Sequence, residues 1–146
     1  MSVKNFNEVV QLIRNDDSRY EAGAYVFVRH ALDHTLTIIR KEEESDQHRH
    51  VSGQELCEGI RSYALEQYGP MTRMLLESWG IHKTEDFGQI VFNLVEYGIF
   101  GKTENDSIED FEKVFDFESV FDDPFRPAQK HFPESAPSLR QQSSIE

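Results

Sequence analysis

Apolar residues recur along this chain at intervals of three and four, the period of an α-helix, in five successive stretches. The first holds Phe6, Val9, Val10 and Ile13, and Asn5 stands three residues before Glu8, the spacing at which each side chain satisfies the other's backbone amide. This predicts a helix over 6–15. After Asn15-Asp16-Asp17, Ser18 with Glu21 repeats the pattern and opens a second helix, with Tyr25, Val28, Leu32, Thr35, Leu36 and Ile39 as its stripe and Phe27, Ala31 and Ile38 widening it. That stripe predicts a largely buried helix. Alternation and β-branching over His34–Ile39 would also suit a strand, so the end of this element has two readings. Lys41–His50, KEEESDQHRH, has no apolar member and reads as a solvated connection.

The densest signals lie in residues 51–101. Ser52 with Glu55 forms a capping box and Val51 with Leu56 a hydrophobic staple, two independent devices that start the third helix at one place. Its stripe is Leu56, Ile60, Tyr63, Ala64 and Tyr68, and Gly59 within it costs about 1 kcal/mol relative to alanine unless a neighbouring backbone approaches there. Gly69-Pro70 separates this helix from a fourth, whose Met71, Met74, Leu75 and Trp79 lead to a stop at Gly80-Ile81. Thr84, Glu85 and Asp86 supply a cap and first-turn negative charge for a fifth, with Phe87, Ile90, Val91, Leu94 and Val95 on one face and a second stop at Gly98-Ile99.

Beyond Gly101 the periodicity weakens. Ile99–Thr103 and Phe111–Phe117, joined by a turn at Glu104–Ser107, predict a small wing-like β-hairpin, whereas Ser107 with Asp110 ahead of Phe111, Val114 and Phe115 predicts a helical segment. From Pro124 the last 23 residues hold four of the five prolines and little to bury, so a disordered tail is expected over 124–146. The expected architecture is mainly α, a single helical domain over 1–123 with an acidic C-terminal flank, followed by that tail.

Charge changes the functional picture more than composition does. The formal net charge is -12, and between Lys102 and Phe125 nine acids face two lysines, a net of -7 interleaved with five phenylalanines. Such a balance disfavours a nucleic-acid partner, because affinity for phosphates comes from lysine and arginine. It suits steering of a protein with a basic surface, and Glu104, Asp106, Glu109, Asp110, Glu112, Asp116 and Glu118 are the candidate partner-binding residues. Alternatively, these carboxylates only keep the face solvated. One cysteine, Cys57, excludes an internal disulfide and suits the reducing cytoplasm; it lies beside an apolar stripe, so packing is its expected role. No targeting or membrane-spanning stretch is visible, which leaves the Asn105-Asp106-Ser107 triplet a chance match to a glycosylation acceptor.

Two other activities have weaker sequence support. Met71–Val95 has helix-turn-helix form with Ile99–Phe117 as a wing, the outline of a winged-helix-like DNA-binding regulator, yet residues 84–97 contain no lysine or arginine and open with acids. His48 and His50 beside Glu42, Glu43, Glu44 and Asp46, and His30 with His34 one turn apart, are the candidate metal ligands of a metal-dependent enzyme; their spacing matches no closed tetrahedral site. No phosphate loop, nucleophile elbow or zinc-protease motif is present, so no cofactor and no catalytic residue is expected. Pro124-Phe125-Arg126-Pro127 has the spacing of a polyproline ligand, a short match that arises readily by chance.

Residues 50–121, carried by Ser52-Gly53-Gln54-Glu55-Leu56, Ala64-Leu65-Glu66-Gln67 and Trp79-Gly80-Ile81 with Asp86-Phe87-Gly88, resemble a small uncharacterised bacterial family known chiefly from the Planctomycetes and Verrucomicrobia. Arg19–Thr35, RYEAGAYVFVRHALDHT, is similar to the first half of that family, so the likeness runs from residue 6 to about 125. It implies a self-contained cytoplasmic protein and carries over no functional residue. The expected function is a non-catalytic cytoplasmic interaction or regulatory module that binds a protein through its acidic, aromatic face.

Overall fold

A computed structural model describes residues 5–43 and 50–127. It contains five α-helices: α1 Phe6–Asp16, α2 Ala22–Glu43, α3 Gly53–Tyr68, α4 Thr72–Ser78 and α5 Thr84–Glu96. Three short 3-10 turns and one π turn, Glu118–Asp122, complete it, and there is no strand among the described residues. The capping boxes at Asn5 and Ser52 form. The Asn5 and Ser52 side chains accept from the amides of Glu8 and Glu55 at 2.8 and 3.1 Å, and each glutamate accepts from its cap's amide in return.

The glycine stops are equally literal. Gly80 and Gly98 take φ of 93° and 82°, a region that costs an L side chain, and the following Ile81 and Ile99 amides reach back to the carbonyls of Leu76 and Leu94 at 3.0 and 2.8 Å. Ile81 is thereby delivered to the centre of the core with Ile60, Leu76, Phe87, Ile90 and Leu94, all fully buried.

Helices α2 and α3 share the most extensive contact between elements among the described residues, and Gly59 permits it. A β-carbon at 59 would stand 1.7 Å from Thr35 Oγ1, so the propensity lost at this glycine is exchanged for a helix approach no other residue allows. Thr35 itself is buried and donates to the carbonyl of Ala31 at 2.7 Å. Trp79 uses the same device at Gly23, where its indole occupies the space a β-carbon would take, while its ring stacks near Phe27 and Tyr68.

Four expectations require correction. Helix α2 starts at Ala22, because Asp17 accepts from the Arg19 amide and guanidinium and holds residues 17–19 in a local turn that competes with a helix opening at Ser18. Its last turns stay helical to Glu43, so His34–Ile39 is not a strand and the Lys41–His50 connection begins later than the composition suggests. In α4 the buried residues are Thr72 and Leu76, while Met71 and Met74 are 53% and 58% exposed. A 3-10 turn at Gly69–Met71 shifts the helical phase, and the Thr72 hydroxyl hydrogen-bonds the carbonyls of Ala64 and Gly69, drawing that residue inward. At the start of α5 it is Asp86, not Thr84, that caps, accepting from the amides of His82 and Lys83.

A polar cluster joins the α1–α2 turn to α5. Tyr20 donates to Asp86 at 2.6 Å, and Asn93 donates to Asp17 and to the Tyr25 hydroxyl at 3.0 Å each. The Arg19 guanidinium beside Asp17 holds that carboxyl well below its usual range, with Asn93 adding to the effect.

Two outcomes are expected. Gly59→Ala lowers unfolding stability by about 1–3 kcal/mol, the overpacking range, and Thr35→Ala in the same chain recovers only the part due to the hydroxyl and methyl, because the β-carbon of residue 35 would still stand 2.7 Å from the new one; strictly additive losses in denaturant titrations would show that the Gly59–Thr35 contact is not the constraint. A carboxyl whose native pKa is depressed contributes stability above its unfolded pKa and loses it as pH falls. The stability gap between wild type and Asp17→Asn is therefore full at neutral pH and narrows below about pH 4, and a gap constant from pH 7 to pH 2 refutes this assignment.

Candidate functional site

The C-terminal flank is fastened to the helices through Phe111. Its ring lies between two glycines on different helices: a β-carbon on Gly53 would meet it at 3.0 Å and one on Gly88 at 2.9 Å. Thr84 supplies the polar half of the clamp. Its buried hydroxyl donates to the Phe111 carbonyl at 2.7 Å and accepts from the Val114 amide at 3.1 Å. Reaching one hydroxyl from both sides turns the chain tightly, and Lys113 between them takes a φ of 46°, uncommon for a residue with a β-carbon. The Lys113 amide donates to Glu85 at 3.2 Å.

This arrangement decides between the two readings of residues 99–117. The wing-like hairpin is not formed; Ser107 caps a 3-10 turn over Ile108–Phe111, with Asp110 accepting from the Ser107 amide, so the cap of the helical alternative is present while its continuation through Val114 and Phe115 is not. The turn ends at Glu112 because Thr84 competes for the backbone groups that would have continued it. Downstream, Phe117 and Phe121 are buried with ring centroids 5.0 Å apart, and Phe87 of α5 and Phe115 stack on them at 5.8 and 5.7 Å. Phe125 is 45% exposed and does not join this cluster's interior.

The seven candidate acids fall into two groups. Asp106 accepts from the Thr103 amide at 2.7 Å and pairs with His50; Asp110 serves the cap; Asp116 accepts from the amide and hydroxyl of Ser119; Glu118 accepts from Arg126 at 2.9 Å. Ser107 and its own backbone N–H hold the Glu109 carboxyl below the usual range. Glu104 and Glu112 stand exposed. Carboxylates that build turns still carry charge, so the face stays negative while its shape is fixed by those same groups.

Beside this face opens a pocket of about 290 Å³ that sequence reasoning missed. Leu32 and Leu36 of α2, Leu56 of α3 and Val91 and Val95 of α5 form its floor, and Ile99 and Phe100, turned back by Gly98, form one wall. Lys102, Asp106, Ser107 and Asp110 make the opposite lip, with His50 at the edge. A signal existed in the half-buried members of the predicted stripes, Leu36 and Val95, which helical periodicity places on a core-facing side without telling whether the core reaches them.

The other candidates are dispersed. His30 is exposed, His34 contacts Ser62 at 3.3 Å and stacks on Tyr63, and His50 pairs with Asp106. His48, Glu44 and Asp46 lie outside the described residues, and among the described ones no group of three or more His, Cys, Asp or Glu is placed to hold a metal. Helix α5 turns Phe87, Gly88, Ile90 and Leu94 inward, and its first turn is bonded to residues 111–114 through Thr84 and Glu85. Cys57 is fully buried, and burial pushes its thiol up to about 12, which suits packing rather than nucleophilic chemistry.

Of the expected tail, Asp123–Phe125 forms a 3-10 turn tied down by Arg126 to Glu118 and Asp123, so order persists past 124; residues 128–146 lie outside the described residues. No helix among the described residues is long and apolar enough to cross a membrane. No family model, curated protein or solved structure matches this chain.

Proposed function

We propose that this protein is a non-catalytic cytoplasmic interaction module whose acidic C-terminal flank binds a protein with a basic surface. The observation that carries the reading is the clamp of that flank onto α3 and α5 through Phe111 and Thr84. A loose acidic segment would lose conformational freedom on binding; one already fastened presents its carboxylates in fixed positions and avoids that cost. Aromatic side chains anchor the inner side, with Phe111, Phe117 and Phe121 buried, and Glu104, Glu109, Glu112, Asp116 and Glu118 are exposed on the outer. Fixed charge of one sign raises association rates with an oppositely charged partner and makes binding sensitive to salt.

Decalysine serves as a defined basic probe. Its affinity falls steeply from about 0.1 M to about 1 M salt, as the screening length contracts from about 10 to about 3 Å, and Glu104→Gln with Glu112→Gln weakens it while Glu66→Gln with Glu96→Gln, on α3 and α5, does not. Equal losses from both pairs would mean diffuse attraction to an acidic molecule and would end the reading.

The clamp has its own test. Thr84→Val removes both hydrogen bonds while keeping the shape, at a cost of about 1–3 kcal/mol, and raises hydrogen exchange at the Val114 amide ahead of global unfolding; Thr84→Ser restores both. Unchanged exchange at Val114 would show that the hydroxyl does not hold the flank.

A further inference from the structure

We infer that the pocket between α2, α3, α5 and the 102–110 lip is an anchor site for one bulky apolar side chain of a peptide segment, flanked in that segment by lysine or arginine. The inference rests on the acidic-face reading and names the chemistry that the face alone does not specify. Three observations lead to it.

The first is size. At about 290 Å³ the pocket stands at the lower edge of small-ligand sites, which run from about 300 to about 1,000 Å³. It takes one large side chain comfortably and is small for a nucleotide or an extended cofactor.

The second is lining. Leu36, Val95 and Ile99 are only half-buried although they occupy the inward stripes of α2 and α5 and the turn that follows, and Phe92, Phe100 and Phe111 contribute aromatic surface nearby. An apolar floor with aromatic walls favours an aromatic or branched aliphatic anchor and offers edge-to-face partners to an incoming ring.

The third is the charge of the lip. Of the charged groups that line the pocket, Asp106 and Asp110 are carboxylates, Asp106 pairs with His50, and the amine of Lys102 is turned to the carbonyl of Thr103 at 3.2 Å; Glu104 and Glu109 add negative charge from the same segment without lining the pocket. Asp110 uses Oδ2 for the Ser107 amide at 3.1 Å. An anionic amphiphile would meet this lip unfavourably, whereas a cation beside the anchor meets carboxylates already oriented by the turn they cap.

The order of events follows from the ranges of the two forces. Charge acts over about a screening length and aligns the basic segment on the flank; apolar contact acts only at close range and selects which residue enters the pocket. The acidic face then supplies rate and orientation, and the pocket supplies discrimination between basic segments.

Three capped pentapeptides test this in amide-shift titrations of the full chain: phenylalanine between two pairs of lysines, alanine in the same frame, and phenylalanine between two pairs of glutamates. The lysine–phenylalanine peptide is expected to shift the amides of Val95, Ile99, Phe100 and Asp110 saturably and to bind at least about tenfold tighter than the alanine peptide, the scale that burial of one aromatic side chain supports. The glutamate peptide is expected to leave those amides unmoved. Leu36→Trp, which fills the floor, removes the tenfold gain and leaves the alanine peptide's binding intact; Asp110→Asn, which keeps an acceptor for the Ser107 amide, weakens both lysine peptides.

Equal affinity for the phenylalanine and alanine peptides overturns the anchor inference and leaves the acidic-face reading standing. Failure of both lysine peptides to bind overturns the two together. A glutamate peptide that binds as well as the lysine one makes the site an apolar pocket without a cation preference. Concentration-dependent shifts at the same amides without peptide would assign the pocket to a second copy of this chain and overturn the inference as well.

Discussion

The packing of one phenylalanine between two glycines is the constraint on which the rest of this structure depends. Phe111 reaches the backbones of α3 at Gly53 and α5 at Gly88, and a β-carbon at either place would require its ring to move. Because the same residue's carbonyl is held by Thr84, the ring cannot withdraw without breaking a buried hydrogen bond. Two helices and the C-terminal flank are therefore positioned by a single side chain. That flank in turn supplies the pocket's lip and fixes the acidic turns, so the shape of the candidate surface is inherited from a contact deep beneath it.

Much of the helical framework was legible because it is specified locally. The Asn5 and Ser52 caps and the Gly80 and Gly98 stops involve residues within five positions of one another, and each operates as its spacing implies. What could not be read is what distant residues decide. Thr84 has the composition of a helix cap, and its hydroxyl instead serves backbone groups 27 and 30 residues away. The alternation of phenylalanines after Phe111 has a strand's period, but an edge strand needs a neighbour to pair with; Thr84 and Glu85 take the backbone groups of 111, 113 and 114 first. In α4 a single 3-10 turn at Gly69–Met71 altered the phase and put two methionines outside.

Gly59 illustrates a middle case. A glycine in a helix interior announces a cost, and a cost of that kind persists where the missing side chain is worth more than the lost propensity. The sequence therefore pointed to a close approach at that position without naming the partner. Thr35, the residue that arrives there, was assigned correctly to the buried stripe of α2, yet nothing local joins two positions on separate helices. The pocket belongs to the same class. Leu32, Leu36, Leu56, Val91 and Val95 were identified as inward-facing, Phe92 and Phe100 were not, and the pocket's existence depends on the lip that leaves them uncovered.

The division of labour among the carboxylates bears on how a face can be both acidic and well shaped. Like charges in one short segment repel one another, and a chain carrying a net of -7 over residues 102–125 would be expected to extend. Here the repulsion is opposed from below by three buried phenylalanines and from within by caps, since Asp106, Asp110 and Asp116 each accept a backbone amide and thereby stabilise turns that bring their neighbours closer. A cap needs only one oxygen of a carboxylate and leaves the formal charge in place. The groups that organise the segment are thus also the ones that set its potential, which means that truncating them one at a time changes shape and field together. Exposed Glu104 and Glu112 are different: their removal lowers the potential and leaves the turns intact. For that reason the electrostatic role of this surface is separable from its architecture by any substitution at those two positions, while at Asp106, Asp110 and Asp116 only an exchange for asparagine, which keeps the accepting oxygen, parts the two.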